Sequence, residues 1–285
     1  MAEVVTRPVL RRTAVSYGLR SFADLQTALD AAAFVQADPI RAPARAQDLM
    51  LRHRVPGYLA GELEQRYTTL RVEEAFFINY GFVTPALFDA MHPRGTITSW
   101  PAKRRTQASA LLAYLDERED AHPRDVAAHF AHGRVTNYWG GSSSATTHML
   151  DQLHYLGLVR VARRDAGVRV YARRSAVVEM PRLAAADIDA RLDLLVDVVV
   201  GTYAPLPWTS LAPLIRRLRY AAPHWSARLP QALARAKARL AHAQVDGASY
   251  YWPESLSLVD EVADDVRLLA PFDPVVWDRR RFEMF

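Results

Sequence analysis

An amide and a carboxylate, Gln36 and Asp38, interrupt a short and mostly apolar stretch at residues 33–40. Such a stretch is typical of a buried strand, and residues two apart in a strand project to the same side. Gln36 and Asp38 would then face one way and Ala37 the other. Burying a carboxylate is unfavourable unless it is paired or has a chemical task. The two side chains are therefore a candidate catalytic pair, the alternative being that Asp38 caps the next helix and Gln36 satisfies a backbone group.

The sequence does not contain the residue patterns that several other catalytic chemistries require. The chain has no cysteine, which excludes disulfides, thiolate zinc sites and cysteine nucleophiles. Neither a phosphate-binding G-x-x-x-x-G-K-[ST] loop nor a G-x-G-x-x-G fingerprint occurs, so we expect no nucleotide cofactor. His129 and His132 are three residues apart without further ligands, so no metal site is predicted. The serines at 142–144 lack the context of a nucleophile elbow and fit helix capping better.

The cations are almost all arginines. Net charge is +5 and the isoelectric point is about 9.6, which favours an anionic partner such as nucleic acid. A proteome rich in arginine would show the same bias without any DNA binding. Lys103 and Lys237 are the only lysines, and both read as surface charges. Because Schiff-base chemistry on an abasic sugar needs an amine, a base-excision enzyme of this sequence would follow a hydrolytic route without a lyase step.

Most of the secondary structure predicted around these residues is helical. Apolar periodicity and turn residues predict helices over 106–118, 123–130 and 144–156, a Gly140-Gly141 turn before the third, and a hairpin formed by 158–164 and 168–173. Helix, helix, helix, hairpin is the order of a winged helix-turn-helix. The same order recurs in helices over 187–199, 209–218 and 231–243, followed by a hairpin around Asp246-Gly247.

The amino-terminal third predicts several further segments. Helices are expected over 10–18, over 22–33 with Ser21 as N-cap, and over 44–53, 58–67 and 85–91; residues 72–83 read as strand or irregular core. The predicted fold is mostly α with small β-hairpins (α+β), built from tandem winged helix-turn-helix units. We divide the chain into 1–100, which carries the Gln-x-Asp motif, 101–178, and 179–285, with a boundary near Met180-Pro181.

The first hairpin is rich in arginine. Beside a recognition helix, such a wing would contact phosphates. The candidate DNA-binding residues are Arg163, Arg164, Arg173 and Arg174 on the wing, followed by Arg216, Arg217 and Arg219. The alternative for each is an ordinary solvated surface charge.

Neither a long apolar run nor a signal-peptide core occurs in the sequence. We therefore expect no membrane association and a cytoplasmic location near the nucleoid. We also expect the protein to be a monomer.

Four segments together resemble the AlkZ/YcaQ crosslink-repair DNA glycosylases. They are Val35-Gln36-Ala37-Asp38-Pro39-Ile40, the tract at 74–85 with Ile78-Asn79-Tyr80-Gly81-Phe82, the stretch at 150–171, and the tail Ala270-Pro271-Phe272-Asp273-Pro274 with Trp277-Asp278-Arg279. The resemblance runs along nearly the whole chain. It implies tandem winged helices, a Gln-x-Asp catalytic motif, and double-stranded DNA with alkylated or crosslinked purines as partner.

By this resemblance, Gln36 and Asp38 handle the water that attacks C1′ of an alkylated purine nucleotide. An N7-alkyl purine is cationic and leaves readily, so Asp38 would act as base and nearby anion while Gln36 orients the water. The family's action on bulky adducts implies an open surface, in contrast to the usual base-flipping pocket.

Two features depart from the resemblance. Some relatives carry histidine where this chain has Asn79, and relatives continue beyond the Trp-Asp-Arg motif, so we expect a C-terminal element to be missing here. Two other readings stay open: a non-enzymatic winged-helix DNA-binding protein such as a regulator, and a paralogue that binds lesions without cutting.

Overall fold

A computed structural model describes residues 5–38, 40–41, 43–136, 142–174, 182–262 and 264–285. Its helices are α1 Arg7–Gly18, α2 Leu25–Ala32, α3 Ala46–Leu51, α4 Glu62–Gln65, α5 Pro85–Met91, α6 Ala102–Asp116, α7 Pro123–Phe130, α8 Ala145–Leu156, α9 Ala185–Tyr203, α10 Trp208–Arg217, α11 Leu229–Arg239, α12 Pro274–Trp277 and α13 Arg279–Met284. Its strands are β1 Phe34–Gln36, β2 Glu73–Phe76, β3 Tyr80–Val83, β4 Arg134–Thr136, β5 Ser142–Ser144, β6 Val159–Asp165, β7 Val168–Arg173, β8 Leu206–Pro207, β9 Ala241–Val245 and β10 Ala248–Trp252.

A three-stranded antiparallel sheet with the order β1-β3-β2 separates two hydrophobic cores. Phe34 of β1 packs into the core formed with α5, α9, α10 and α11. Its neighbour Val35 packs into the other core, formed with α2, α3, α6, α8 and β6. Both residues are almost fully buried because side chains alternate across a strand. The strand that carries Gln36 is therefore held from both sides.

Glycine at position 81 permits the close pairing of β1 with β3. Gly81 lies opposite Gln36 in the antiparallel register. A Cβ atom at this position would overlap the carbonyl oxygen of Val35 and the ring of Phe34. Any larger residue would therefore push β3 away from the motif strand.

The predicted hairpins and most helices are present. The β6–β7 and β9–β10 hairpins turn at Ala166-Gly167 and Asp246-Gly247, whose four residues have positive φ angles. Helices α5 and α7 begin and end at the predicted residues, and Gly157 terminates α8 in the left-handed conformation. The stretch at 72–83, left open between strand and irregular core, forms β2 and β3.

Other boundaries were wrong. Helix α2 begins at Leu25 rather than Phe22, and Asp24 rather than Ser21 is its N-cap, accepting from the Thr27 amide at 2.8 Å. The helix expected over 58–67 is confined to α4 and a 3-10 turn at Tyr67–Thr69. Helix α9 continues past Gly201, because its apolar face packs along the first core to Tyr203.

Some predictions fall outside the described residues. These are the Gly140-Gly141 turn and the boundary at Met180-Pro181.

The α+β class is confirmed by the helices and small antiparallel sheets. Tandem winged helices and the division at 100 and 178 stay predictions. Both large cores draw residues from more than one of the three proposed units.

The tail docks through two buried arginines. The guanidinium of Arg54 forms a bidentate ion pair with Asp273, at 2.7 and 2.9 Å, and also donates to the carbonyl oxygens of Gly18 and Met50. Arg281 donates to the carbonyls of Ala204, Pro205 and Val275. Burial lowers the pKa of Arg281 to about 10, which leaves it charged at neutral pH.

Within the described ranges no helix is long and apolar enough to cross a membrane.

Candidate active site

Gln36 is fixed at the end of β1 by a neighbouring amide. Asn79, in the tight turn between β2 and β3, donates from Nδ2 to Oε1 of Gln36 at 2.9 Å. The turn is anchored because Phe77 and Ile78 are fully buried in the first core. The Phe77 amide also donates to the carbonyl of Asn79 at 2.8 Å. The side chain that contacts Gln36 thus stands on a rigid, buried turn.

Arg217 completes this cluster from helix α10. Its Nη2 atom donates to Oδ1 of Asn79 at 3.2 Å and to the carbonyl oxygen of Ile78 at 3.3 Å. Its guanidinium carbon lies 5.5 Å from the ring centre of Trp277, within the range of a cation–π contact. The sequence assigned Arg217 to DNA binding, whereas its described contacts point toward the Gln-x-Asp motif.

Asp38 follows the end of β1 and is half-buried. Its Oδ1 atom accepts from the Ile40 amide at 2.8 Å, while its own amide donates to Oε1 of Gln47 at 3.4 Å. Gln47 is buried in α3 and donates in turn to Glu64 at 3.2 Å. The carboxylate is therefore oriented by its own loop, and Oδ2 has no partner among the described residues.

A polar cleft opens beyond this loop. Its volume is about 540 Å³, and it lies between α3, α4 and the turn of the β6–β7 hairpin. Arg41 reaches across it to the carbonyl of Ala166, and Arg45 pairs with Glu64. Burial and the nearby charges of Arg41 and Arg164 lower the pKa of Arg45. The cationic and anionic groups of this cleft largely neutralise one another.

The hairpin arginines proposed for DNA all face carboxylates of this protein. Arg164 is mostly buried and forms a bidentate pair with Glu74, at 2.7 and 2.6 Å. The three others pair as Arg163 with Asp120, Arg173 with Asp116, and Arg174 with Glu73 and Asp89. Their assignment to DNA stays a prediction.

Glu73 and Glu74 lie in β2, beneath that hairpin. Glu74 is fully buried and also accepts from the hydroxyl of Tyr80 at 2.7 Å. Burial, together with the Glu74 charge, holds the pKa of Tyr80 well above its usual range. Burial also raises the pKa of Glu73, although Arg160 and Arg174 oppose the shift. These groups have internal partners and form a structural network between the sheet and the hairpin.

The arginines of α10 lie in a different environment. Arg216 and Arg219 are exposed, and the only described partner of the Arg219 guanidinium is the hydroxyl of Tyr220. A cleft of about 360 Å³ runs beside Arg217 and Trp277 and is also lined by Arg279 and Arg280. This basic cleft is linked to Gln36 through Arg217 and Asn79. In the described part of the chain, no group of three or more His, Cys, Asp or Glu residues is placed to hold a metal ion.

The sequence singled out Gln36 and Asp38, whose catalytic role stays a prediction, as does the DNA-binding role of Arg217. It did not predict that Gly81 and Gln47 hold the motif in place. The available signal for Gln47 was a polar Gln47-Asp48 pair beside the apolar Leu49, Met50 and Leu51 in a predicted helix. No local signal connects Arg217 to Asn79, which lies 138 residues earlier.

A comparison with protein-family models assigns the chain to one family, and a solved structure shares its fold. The model of the family described as "DNA glycosylase AlkZ-like" matches residues 29–285. Among solved structures, the Streptomyces sahachiroi DNA glycosylase AlkZ is similar, with a TM-score of 0.58 at 11% sequence identity. The match covers 88% of this chain and 71% of that one. A comparison with curated protein sequences found no match.

Proposed function

Because the chain belongs to the AlkZ-like DNA glycosylase family, we propose that it removes N-alkylated purines from double-stranded DNA by hydrolysis. Gln36 and Asp38 carry the reaction. The proposed substrates include N7-alkyl purines and, by analogy with the family, bulky or crosslinked adducts. The enzyme acts as a monomer and as a monofunctional glycosylase without lyase activity.

The observation that carries this proposal is the placement of the motif. Gln36 ends a strand that is held between two cores, and its amide is fixed by Asn79. Rigid elements place catalytic groups more precisely than loops do. A carboxylate follows two residues later with one oxygen free of described partners. An oriented amide, and a carboxylate oxygen without a described partner two residues later, suit the positioning and deprotonation of a water molecule.

The reaction is a substitution at C1′ of the damaged nucleotide. The oxygen of water forms a bond to C1′ as the bond from C1′ to the purine nitrogen breaks. The bonding electron pair leaves with the purine and neutralises its positive charge, and Asp38 takes a proton from the water. The carboxylate also stabilises the positive charge that develops on the sugar. The products are a free alkylated base and an abasic site.

DNA contact is proposed mainly for the basic cleft and for the exposed Arg216 and Arg219. These cations lie in or just after α10 and at the start of α13, and Arg217 connects the cleft to the motif through Asn79. The hairpin arginines contribute at the periphery, because each already faces a carboxylate.

The test is base release from a duplex with one N7-methylguanine, with abasic sites revealed by alkali. We expect release by the wild-type protein and a loss of about 100-fold or more in Asp38→Asn, because that variant keeps the side-chain shape without the base. Gln36→Ala should lose less. The exposed Gln244→Asn, on β9, is a matched amide control and should retain the wild-type rate.

Two outcomes would contradict the proposal. Wild-type protein that binds the duplex but releases no base would favour the DNA-binding reading. Base release that persists in Asp38→Asn would show that the reaction does not depend on the carboxylate of the motif.

A further inference from the structure

We propose that Arg217 and Asn79 form a directional hydrogen-bond relay that fixes which end of the Gln36 amide faces the substrate. This inference rests on the proposed function of Gln36. It assigns positioning roles to two residues outside the Gln-x-Asp motif and a donor role to Gln36.

The direction of the relay follows from the chemistry of arginine. A guanidinium group only donates hydrogen bonds. The atom of Asn79 that faces Arg217, at 3.2 Å, must therefore be the acceptor Oδ1. The other end of that amide, Nδ2, then faces Gln36 and can only donate. The acceptor of Gln36 at 2.9 Å must accordingly be Oε1.

The consequence is that Gln36 turns its NH₂ group away from Asn79. Nε2 of Gln36 has no partner among the described residues, so its N–H groups are available to water, phosphate or sugar oxygens. An unrestrained glutamine could present either end with similar ease, since its two ends differ only in hydrogen-bonding capacity. The relay selects one. Gln36 positions an oxygen by donation, and accepting the proton is left to Asp38 alone.

The relay is supported by the rigidity of its parts. Arg217 also donates to the carbonyl of Ile78, at the apex of the buried turn that carries Asn79. Phe77 and Ile78 anchor this turn in the first core. On the other side, Gly81 keeps β3 close enough to β1 for the two amides to meet. A single rotation of either amide would place two donors or two acceptors face to face.

Asn79→Asp is the decisive variant, because it keeps the shape of the side chain and reverses its polarity toward Gln36. The new carboxylate accepts from Arg217 and can only accept from Gln36, which must turn its amide and present Oε1 to the substrate. Asn79→Ala leaves the Gln36 amide free to rotate. We therefore expect Asn79→Asp to lower kcat by about 10- to 100-fold, more than Asn79→Ala does, with duplex affinity unchanged.

This order of effects separates the relay from a structural role. A purely structural asparagine would tolerate the isosteric aspartate better than the truncating alanine. Gln36→Glu, which also removes the outward donor, should match Asn79→Asp in kcat. Gln244→Glu on β9 introduces the same charge at an exposed position and controls for repulsion of DNA.

A spectroscopic measurement tests the relay without catalysis. The side-chain ¹⁵N–¹H signals of Gln36, assigned by their absence in Gln36→Glu, should shift downfield in Asn79→Asp as an N–H bonds the new carboxylate. If wild-type protein releases no base but this shift occurs, the proposed function fails and the relay stands. An unshifted signal, or a kcat for Asn79→Ala as low as that for Asn79→Asp, would overturn the relay.

Discussion

Two arginine-rich regions of this protein have the same sequence character and different electrostatic environments. In the β6–β7 hairpin, the four arginines proposed for DNA all face carboxylates of the protein. In and just after α10, Arg216, Arg217 and Arg219 face no carboxylate among the described residues. Their described partners are neutral amide, carbonyl and hydroxyl groups. Positive charge is therefore compensated on the hairpin and left available near α10.

An arginine count therefore does not locate a DNA-binding surface. A phosphate that approaches the hairpin must compete with an existing ion pair, and at Arg164 that pair is buried. A phosphate that approaches α10 meets guanidinium groups that form no ion pair among the described residues, although Asp278 lines the same cleft as Arg217. The first region supports the fold, and we expect the second to supply most of the DNA affinity.

The largest effect expected from this comparison is on stability. Arg164→Met should lower the free energy of unfolding by about 3–5 kcal/mol, because it leaves the fully buried Glu74 without its cation. Urea unfolding measures the change, with Arg163→Met, whose ion pair is more exposed, as the matched control. Equal losses of unfolding free energy in the two variants would contradict the expectation that the buried ion pair contributes more than the exposed one.

A pH effect of about 2 kcal/mol should arise beneath the same hairpin. His154 donates from Nε2 to the carbonyl of Glu74 at 2.8 Å, and burial lowers the pKa of His154 to about 3. The unfolded chain binds a proton at this histidine below about pH 6.5, whereas the folded protein stays neutral there until about pH 3. Stability therefore falls as the pH drops through this window, by about 2 kcal/mol at pH 5.

The control for this pH effect is His154→Gln, which keeps a donor and removes the titration. Its free energy of unfolding should depend less on pH between 6.5 and 5 than that of the wild type. Equal slopes for the two proteins would assign the acid sensitivity to other groups.

The smallest expected effect is on the free energy of duplex binding, and it compares the two arginine-rich regions most directly. Removing the two exposed charges in Arg216→Gln/Arg219→Gln should weaken duplex binding about tenfold at low salt and reduce the salt slope of log K by about 2. Arg163→Gln/Arg173→Gln, on the hairpin, should reduce it less. A larger change for the hairpin pair would reverse the comparison.

The sequence predicted most of the helices and strands, although not all of their boundaries. It did not predict which side chains contact one another across the fold. Alternating residues and turn glycines predicted both long hairpins. The polar pair in an apolar stretch singled out Gln36 and Asp38 as candidates, but the strand expected to carry both ends at Gln36. The partners of the hairpin arginines are as many as 101 residues away in sequence, as in the pair of Arg174 with Glu73. Local patterns do not encode such pairings, so exposed and buried arginines looked alike.

The supports of the site were hidden for the same reason. Asn79 was noted only as a departure from relatives, although it contacts Gln36 across 43 residues of sequence. Gly81 looked like an ordinary glycine in an aromatic tract. Its necessity emerges only when β1 lies against β3.

The buried pair between Arg54 and Asp273 has a consequence for synthesis on the ribosome. The two residues are 219 positions apart, so Arg54 leaves the exit tunnel long before its carboxylate has been translated. Until then, a nascent chain that packs this arginine has only the carbonyls of Gly18 and Met50 to offset its charge. Asp273 is made much later than Arg54, so the amino-terminal region reaches its full stability only once Asp273 has been translated and can pair with Arg54.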